Sequence, residues 1–441
     1  MKGSDQTQKI AQKLRKQAAS VYTPGVPITD PKYFSGRDNL LNDLTDQLDI
    51  QGKVIILYGD RGVGKTSFCN MLVRNRKAIK YSCTEKDNFI TIFLNILRDA
   101  EIFLTEDEQT SILESGIEIG ADGTFKVSDK KTQNIKYKPI GQERLDQSAI
   151  LRRLKQSTQV DTIVFDEAQN LKDKHVHSQL SSLLKAFSDN HLDIAVIFVG
   201  IAETDENLFP ADPDYAEYKL RHYTTAQIPP MEENEILDII ERREKLFKLV
   251  FDEKFKKDIA WLSIGYPSIA HTLALYSIFS WINRNATELI KKILLGGLQY
   301  IFFGLLSISL GKVRINIDRP DFLNGLKKFI DEFKRNYKDE ALDLCKLFIE
   351  DEGSRILNSI IQLRTNSIPL AQISNELKLD EHELRSIIVR FSKLIKLSKD
   401  GNLKFAFSYL SSVNRACLTY IQEKEDGLAQ IYPDAISSKK P

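Results

Sequence analysis

A short segment after an apolar run holds residue types that bind phosphate groups. The segment GDRGVGKT, from Gly59 to Thr66, fits the pattern GxxxxGK[ST] in full and follows the run VIILY. Glycines let such a loop point its backbone N–H groups at a phosphate, and the helix that follows adds positive potential. The pattern predicts an ATP site with these binding residues: Gly59, Asp60, Arg61, Gly62, Val63, Gly64, Lys65, Thr66 and Ser67.

Two residues of this loop and two acids further along the chain carry the expected chemistry. Lys65 would reach the β- and γ-phosphates, and the hydroxyl of Thr66 would bind Mg²⁺. In TIVFDEAQNL, Asp166 is placed to hold Mg²⁺ through water, and Glu167 to polarise the attacking water. In the alternative interpretation both acids only cap the next helix. We favour the first, a Mg²⁺-dependent ATPase with Lys65 and Glu167 catalytic and Thr66 and Asp166 at the metal, because the loop gives both acids a function.

Alternating strands and helices are predicted around these motifs. Apolar runs without polar alternation predict strands buried on both faces of a parallel α/β sheet, at residues 54–58, 78–83, 162–165 and 194–199. Helices are expected at residues 67–76 and 148–155, and another begins near Asp38. A polar, glycine-containing stretch between residues 106 and 139 predicts an inserted hairpin or a loop.

The rest of the chain has a helical pattern. MEENEILDIIERREKLFKL begins a second domain, and a third carries SRILNSIIQLRTN, PLAQISNELKL and DEHELRSIIVRFSKLIKL as three helices, followed by a hairpin around Asp400 and Gly401. Three helices closed by a hairpin predict a winged helix-turn-helix. The predicted domains are an N-terminal helix and extended segment at 1–30, an α/β nucleotide-binding domain at 31–227, a helical lid and apolar region at 228–340, a winged helix at 341–425 and a tail at 426–441.

Four segments together resemble the AAA+ ATPases of the initiator and STAND branches: YFSGRDNLL, GDRGVGKTS, VFDEAQNL and IGYPSIAHTL. The resemblance covers residues 23–280, and the winged helix is similar to that of the origin-recognition initiators. It implies a P-loop AAA+ parallel-sheet domain, a helical lid and a C-terminal winged helix. It also implies that Gly36 and Arg37 line the adenine side. Gly265 and Pro267 match a GxP that stands where other AAA+ proteins carry a sensor arginine, and in the STAND group this proline contacts the base.

Two positions differ from this pattern or leave a choice open. The strand at 194–199 runs into Gly200, where many relatives carry a polar sensor residue, and Glu203 and Thr204 stand only nearby. We therefore expect slow hydrolysis. Arg221 lies where the resemblance places an arginine that touches the γ-phosphate, in cis or on a neighbouring subunit. An ordinary surface arginine is the equal alternative.

The overall charge gives no field that would attract nucleic acid. Lys and Arg number 62 against 61 Asp and Glu, so the net charge is +1, and binding to DNA would need a local patch. The third helix and the hairpin offer a set of cations that could form such a patch: Arg385, Arg390, Lys393, Lys396, Lys399 and Lys404. Acidic residues interrupt this set: Asp380, Glu381, Glu383 and Asp400. Contact with a partner protein or self-association is the other interpretation of this module.

The spacing of the cysteines and the position of the apolar segments indicate the cellular compartment. The four cysteines have no CxxC spacing, and MKGSDQTQKIAQKLRKQAAS lacks the apolar core of a signal peptide, so we expect a cytoplasmic protein. The segment ILLGGLQYIFFGLLSISLG, residues 293–311, is long enough to span a bilayer. Its three interior glycines and Gln299 favour a buried helical hairpin or interface helix instead.

The favoured hypothesis is an ATP-binding, slowly hydrolysing AAA+ switch. Its nucleotide state would control homo-oligomer assembly or the engagement of a partner or effector protein, in bacterial defence or signalling. The alternative is an ATP-dependent DNA-binding initiator or transposition-type regulator that uses residues 380–405. A third hypothesis is a membrane-associated ATPase anchored through residues 293–311.

Overall fold

The structure is a computed structural model of the 441-residue chain. It describes residues 2–100, 147–157, 159–202, 204–208, 222–247, 249–296, 315–349, 355–356, 367–398, 401–406 and 408–424. The predictions for residues 106–139, for Glu203 and for Arg221 lie outside these ranges, as do those for Lys399, for Asp400 and for the tail after residue 424.

The elements are numbered in chain order. The first are α1 (Lys2–Val21), α2 (Asp38–Leu48), β1 (Val54–Gly59), α3 (Lys65–Leu72), β2 (Ala78–Ser82), α4 (Phe89–Asp99), α5 (Gln147–Gln156), β3 (Thr162–Asp166), α6 (Lys174–Asp189), β4 (Ala195–Ile201), α7 (Asp205–Leu208) and β5 (Tyr223–Gln227). The others are α8 (Glu233–Phe247), β6 (Leu249–Phe251), α9 (Glu253–Ser263), α10 (Pro267–Gly296), β7 (Ile315–Ile317), α11 (Arg319–Asn336), α12 (Lys338–Ile349), β8 (Ser367–Pro369), α13 (Leu370–Leu377), α14 (Glu381–Arg390), β9 (Ile395–Leu397), β10 (Asn402–Phe405) and α15 (Ser408–Glu423).

The chain divides into two compact units. The sheet unit comprises Arg37–Asp60 and Lys65–Pro229. The helical unit comprises Met1–Gly36, Arg61–Gly64 and Pro230–Pro441.

The sheet unit contains five parallel strands in the order β2-β3-β4-β1-β5. Every residue of β1 and β3 is buried or half-buried, and the same holds for β4, so both faces of these strands are covered. In the register, Tyr58 pairs with Gly200 and Ser82 with Asp166. Because the strands are parallel, their carboxyl ends meet at one edge of the sheet. This arrangement confirms the predicted parallel α/β fold.

Aromatic packing stabilises the centre of this sheet. The rings of Phe165 on β3 and Phe198 on β4 stack with centroids 4.9 Å apart and planes 12° apart. Phe93 of α4 meets Phe165 edge-on at 6.4 Å. Such pairs contribute about 0.5–1.5 kcal/mol beyond the area that they bury. The stacked pair therefore holds β3 and β4 in register below the residues that end the two strands.

Two strand predictions need correction. We expected β2 to be buried on both faces, but its residues are half-buried or exposed, because among the described strands it lies at the edge of the sheet and pairs with β3 alone. The opposite edge strand, β5, was missed, since YTTAQ contains no apolar run. The helix expected at 67–76 begins two residues earlier, at Lys65, and ends at Leu72.

The helical unit is built around its long helices. Phe255 of α9 and Phe322 of α11 stack with centroids 5.3 Å apart, and α10 packs against α11. A short parallel pair, β6 with β7, joins Leu249 to Ile315 and was not predicted.

Buried polar side chains tie the N-terminal segment to this unit. Arg243 of α8 is fully buried, and its Nη2 donates to the backbone oxygen of Tyr33 at 2.6 Å. The hydroxyl of Ser35 donates to Asp238. His271 of α10 packs edge-on against Tyr22, with ring centroids 5.9 Å apart, and its burial lowers the pKa of the imidazole to about 3. The imidazole is therefore neutral at physiological pH.

The C-terminal part of the helical unit contains an antiparallel sheet of three strands in the order β8-β10-β9. The β9–β10 hairpin was predicted, and Gly401 has the expected positive φ of 76°. The sequence DEHELRSIIVRFSKLIKL is not one helix, because α14 ends at Arg390 and the chain turns into β9. Most of the predicted helix SRILNSIIQLRTN lies outside the described residues.

Two expectations from composition can be compared with the structure. Cys69, Cys83 and Cys417 are buried. Across the described ranges, no helix has the length and apolar character needed to cross a membrane. Residues 297–311 of the apolar segment are outside those ranges.

Candidate functional site

The glycine-rich loop joins β1 to α3. β1 ends at Gly59 and α3 begins at Lys65, so the loop is a strand-to-helix connection, as the motif requires. The φ angles of Gly59, Gly62 and Gly64 are 147°, 87° and 93°, which other residues rarely adopt. The glycines of the pattern therefore stand where the backbone needs them.

Lys65 is held at the start of α3. It is 8% exposed, and its Nζ donates to the backbone oxygens of Gly59 at 3.0 Å and Asp60 at 2.7 Å. Both acceptors are carbonyls of the loop itself. The ammonium group therefore lies against the loop, and the acceptors that hold it are neutral.

Thr66 and Asp166 come together at the carboxyl edge of the sheet. The Thr66 hydroxyl lies within hydrogen-bonding reach of the Asp166 carboxylate. Burial raises the pKa of Asp166, and hydrogen bonds from the Glu167 backbone and from Thr66 oppose this shift. A hydroxyl beside a partly buried carboxylate is an oxygen donor set that suits Mg²⁺.

A metal ion here would keep further ligands from outside the protein. Within the described part of the chain, no group of three or more His, Cys, Asp or Glu side chains could hold a metal. Mg²⁺ usually binds through one or two carboxylates together with water and substrate phosphates. Thr66 and Asp166 therefore fit Mg²⁺ that arrives with a phosphate, and do not form a cage that binds a metal alone.

Glu167 lies in a tight turn after β3. Its φ is 54°, a left-handed conformation that costs about 1–3 kcal/mol in a non-glycine residue. Its backbone N–H donates to Oδ1 of Asp166 at 2.9 Å. Its side chain accepts a hydrogen bond from Nε2 of Gln169 at 2.5 Å. Gln169 was missed from the sequence, although it stands two residues after the predicted base.

The residues assigned by resemblance lie in different places. In the sheet unit, Arg37 precedes α2 with a φ of 63°, and its Nη2 donates to the Pro229 oxygen at 2.6 Å. In the helical unit, Pro267 begins α10 directly after a turn at Gly265, whose φ is 76°. A Cβ at Gly265 would lie 2.2 Å from the backbone oxygen of Met231, so the turn requires glycine. The roles of Gly36, Arg37 and Pro267 toward a nucleotide remain predictions.

One contact within the helical unit links the loop to α10. The hydroxyl of Ser268 donates to the backbone oxygen of Gly62 at 3.3 Å. Gly62 belongs to the tip of the glycine-rich loop, and Ser268 follows Pro267 at the start of α10. The sequence did not single out Ser268.

The C-terminal cations predicted for DNA contact are partly neutralised. Arg385 pairs with Glu381 at 2.8 Å and Lys393 with Asp339 at 2.9 Å. Arg390 lies against the ring of Phe391, 5.0 Å from its centroid. This set therefore presents less free positive charge than the sequence suggested.

Comparison with known proteins identifies one domain. Residues 49–208 match the family model described as AAA domain, and this segment has the parallel α/β fold described above. No curated protein matches the sequence.

Solved structures with similarity along the whole chain share little sequence with it. A Walker-type ATPase of Pyrococcus abyssi is 16% identical, with 90% of this chain and 99% of that chain covered and a TM-score of 0.44. Cdc6p from Pyrobaculum aerophilum is 17% identical, with 92% and 98% covered and a TM-score of 0.41. The RuvB Holliday junction branch migration motor of Thermotoga maritima is 15% identical, with 85% and 93% covered and a TM-score of 0.38.

Proposed function

From the AAA domain at residues 49–208, we propose that the chain is an ATP-binding and slowly hydrolysing AAA+ switch. Its nucleotide state would control self-assembly or the engagement of a partner or effector protein. The observation that carries the proposal is the glycine-rich loop between β1 and α3, which holds Lys65 and places Thr66 beside Asp166. The setting that we favour is a bacterial defence or signalling system.

Each residue has a distinct role in the proposed reaction. Lys65 would exchange the loop carbonyls for the β- and γ-phosphates, which bear charge and bind an ammonium more strongly. Thr66 and Asp166 would hold Mg²⁺, which neutralises charge on the phosphates when it is bound. The Glu167 carboxylate would take a proton from the attacking water.

Slow turnover is supported by the end of β4. Gly200 offers no polar side chain there. Arg221 remains a proposed γ-phosphate contact, in cis or from a neighbouring subunit. An arginine in that role raises the rate by about 10³-fold or more, so assembly would control the reaction where a neighbouring subunit supplies it.

The proposed output lies in the helical unit. The Ser268–Gly62 hydrogen bond gives α10 a direct contact with the tip of the phosphate-binding loop. Gly36, Arg37 and Pro267 would read the adenine side. The winged helix proposed at residues 341–425 would then meet the partner.

The oligomeric state in each nucleotide condition tests this proposal. We expect light scattering with Mg²⁺ to give a larger mass with ATP than with ADP or without nucleotide, because only ATP supplies a γ-phosphate to Lys65 and Arg221. Failure to bind ATP at millimolar concentration would remove the switch altogether. An equal mass in all three states would remove the assembly role and leave partner engagement as the output.

A second candidate function, DNA binding, is favoured by a basic face formed by α11 and the first residue of α12. A concave surface of about 690 Å³ is lined by Asn324, Lys327, Lys328, Asp331, Lys334, Arg335 and Lys338. Five of these residues are cationic and one is acidic, which leaves a charge of 5 − 1 = +4 on a chain whose net charge is +1. This basic face was not recognised in the sequence.

In the basic face Lys327 pairs with Asp331 at 2.6 Å, whereas Lys328 is repelled by Arg335. Lys328 lies over the ring of Tyr276, 4.2 Å from its centroid. Burial lowers the pKa of Lys328, and so do the charges of Arg15 and Arg335, while Glu332 opposes them. Such crowding is relieved when an anion binds. A phosphodiester backbone supplies anions at the regular spacing that a helical stripe of cations can follow.

Salt dependence distinguishes this candidate. The double variant Arg335→Gln, Lys338→Gln should reduce the slope of log K against log salt by about 1.8, since each phosphate contact contributes about 0.9. The matched control is Arg385→Gln with Lys393→Gln, whose parent side chains are already paired with acids. A labelled duplex that does not bind at 50 mM salt would exclude DNA. A larger change in the salt slope for the control pair would assign the DNA contact to residues 380–405 instead.

A further inference from the structure

Two side-chain amides fix the turn that follows β3. Oε1 of Gln169 accepts from the backbone N–H of Ile201 at 2.9 Å, at the end of β4. Nδ2 of Asn170 donates to the backbone oxygen of Cys83 at 2.9 Å, just beyond β2. Because β3 lies between β2 and β4, the turn is held from both sides.

Gln169 also bonds the proposed base. Its Nε2 donates to Oε2 of Glu167 at 2.5 Å. The orientation of the amide is determined by its partners, since a flipped amide would place its oxygen against the carboxylate and its NH₂ against the N–H of Ile201. A single amide therefore connects the end of β4 to the carboxylate of Glu167.

Gly200, the next-to-last residue of β4, makes room for this amide. A Cβ at Gly200 would lie 2.6 Å from Oε1 of Gln169 and 2.2 Å from Cδ1 of Leu208. Both atoms are the ends of side chains, so a side chain at position 200 would force them to move. The amide of Gln169 therefore occupies space that a side chain at position 200 would need.

The bond leaves one oxygen of the base available. Glu167 is half-buried, and Oε1 makes no hydrogen bond with any residue in the described ranges. A hydrogen bond to Oε2 restricts rotation of the carboxylate about its side-chain torsions. It therefore fixes the direction in which Oε1 faces.

We propose that Gln169 is a positioning residue for ATP hydrolysis, which holds Glu167 ready to accept the proton of the attacking water. In that step the water oxygen bonds the γ-phosphorus, the bond from this phosphorus to the β,γ-bridging oxygen breaks, and ADP leaves. The water proton passes to Oε1 of Glu167. The inference rests on the proposed function. In this arrangement the turn after β3 supplies the polar group that the end of β4 lacks.

The test separates binding from turnover. For Gln169→Ala we expect kcat to fall about 10- to 100-fold while KM and the Kd for ATP stay within twofold, because misplacement of a catalytic group acts on the reaction and not on ground-state binding. Gln169→Glu should lower kcat by the same factor or more, because a carboxylate cannot donate a hydrogen bond to Glu167 and repels its charge. Gly200→Ala should lower kcat in the same way by displacing the amide of Gln169.

A matched control and a double-mutant cycle exclude a merely structural effect. Asn170→Ala removes an amide of the same turn that does not touch Glu167, and should leave kcat within threefold of wild type. In a Glu167→Gln background, Gln169→Ala should cause no further loss, because the two residues act as one unit.

The outcomes distinguish the two claims. Lys65-dependent turnover that Gln169→Ala leaves unchanged or increases would overturn the inference alone. A loss of kcat for Asn170→Ala equal to that for Gln169→Ala would also overturn it, as would additive losses in the cycle. A wild-type chain that binds no ATP would overturn the proposed function, and the inference with it.

Discussion

Lys65→Ala is expected to weaken ATP binding by about 10- to 100-fold in the presence of Mg²⁺. Hydrogen bonds that involve charged groups contribute about 1.5–3 kcal/mol each, and 1.36 kcal/mol corresponds to a factor of ten. The Lys65 ammonium is almost fully buried against the loop, so no other cation can take its place there without rearrangement. Titration of a fluorescent ATP analogue measures the change.

The control for this variant is a lysine that lies away from the loop. Lys86 is exposed, and Lys86→Ala should bind ATP as the wild type does. Lys65 makes hydrogen bonds to Gly59 and Asp60, so the thermal stability of Lys65→Ala without nucleotide should be measured alongside. Unchanged ATP affinity in a folded Lys65→Ala protein would contradict the ATP site.

Glu167→Gln is expected to lower ATP turnover by about 10²- to 10⁴-fold, the usual contribution of a general base. Glutamine keeps the shape of the side chain but cannot accept the proton. ATP affinity should stay close to that of the wild type, since Glu167 is not assigned to bind phosphate. The variant should therefore accumulate with ATP bound, which single-turnover experiments with labelled ATP would show directly.

An exposed glutamate of the sheet unit provides the comparison. Glu85 forms a surface ion pair with Lys172, and such pairs contribute little. Glu85→Gln should hydrolyse ATP at the wild-type rate. Undiminished turnover in Glu167→Gln would show that another group activates the water, and weak ATP binding would show that the substitution had disturbed the neighbouring Asp166.

Much of the sheet could be predicted from local sequence. β1, β3 and β4 are continuous apolar runs because both of their faces are covered, and this burial leaves a direct signal in the sequence. β5 leaves no such signal, since an edge strand with exposed residues needs only a tendency to extend and a partner strand. The pairing of Tyr223 with Val54 joins residues far apart in the chain, which periodicity cannot detect.

The candidate site shows the same limit. Lys65, Thr66, Asp166 and Glu167 were selected because their types and spacing match a known chemistry. Gln169 was not, since its importance depends on the backbone of Ile201, which lies 32 positions away in the sequence. The basic face was overlooked for a related reason, because its cations alternate along the chain with core residues such as Phe329 and Phe333.

The strand order also fixes how accurately the site must be assembled. β4 lies between β1, which leads to Lys65, and β3, which ends at Asp166. Two strand spacings, about 9.6 Å, therefore separate β1 from β3. A slip of one residue in either pairing would shift the cation against the acid by about 3.3 Å, more than the length of a hydrogen bond. The precision of the site thus depends on pairings such as Val54 with Val196, at the opposite end of the strands.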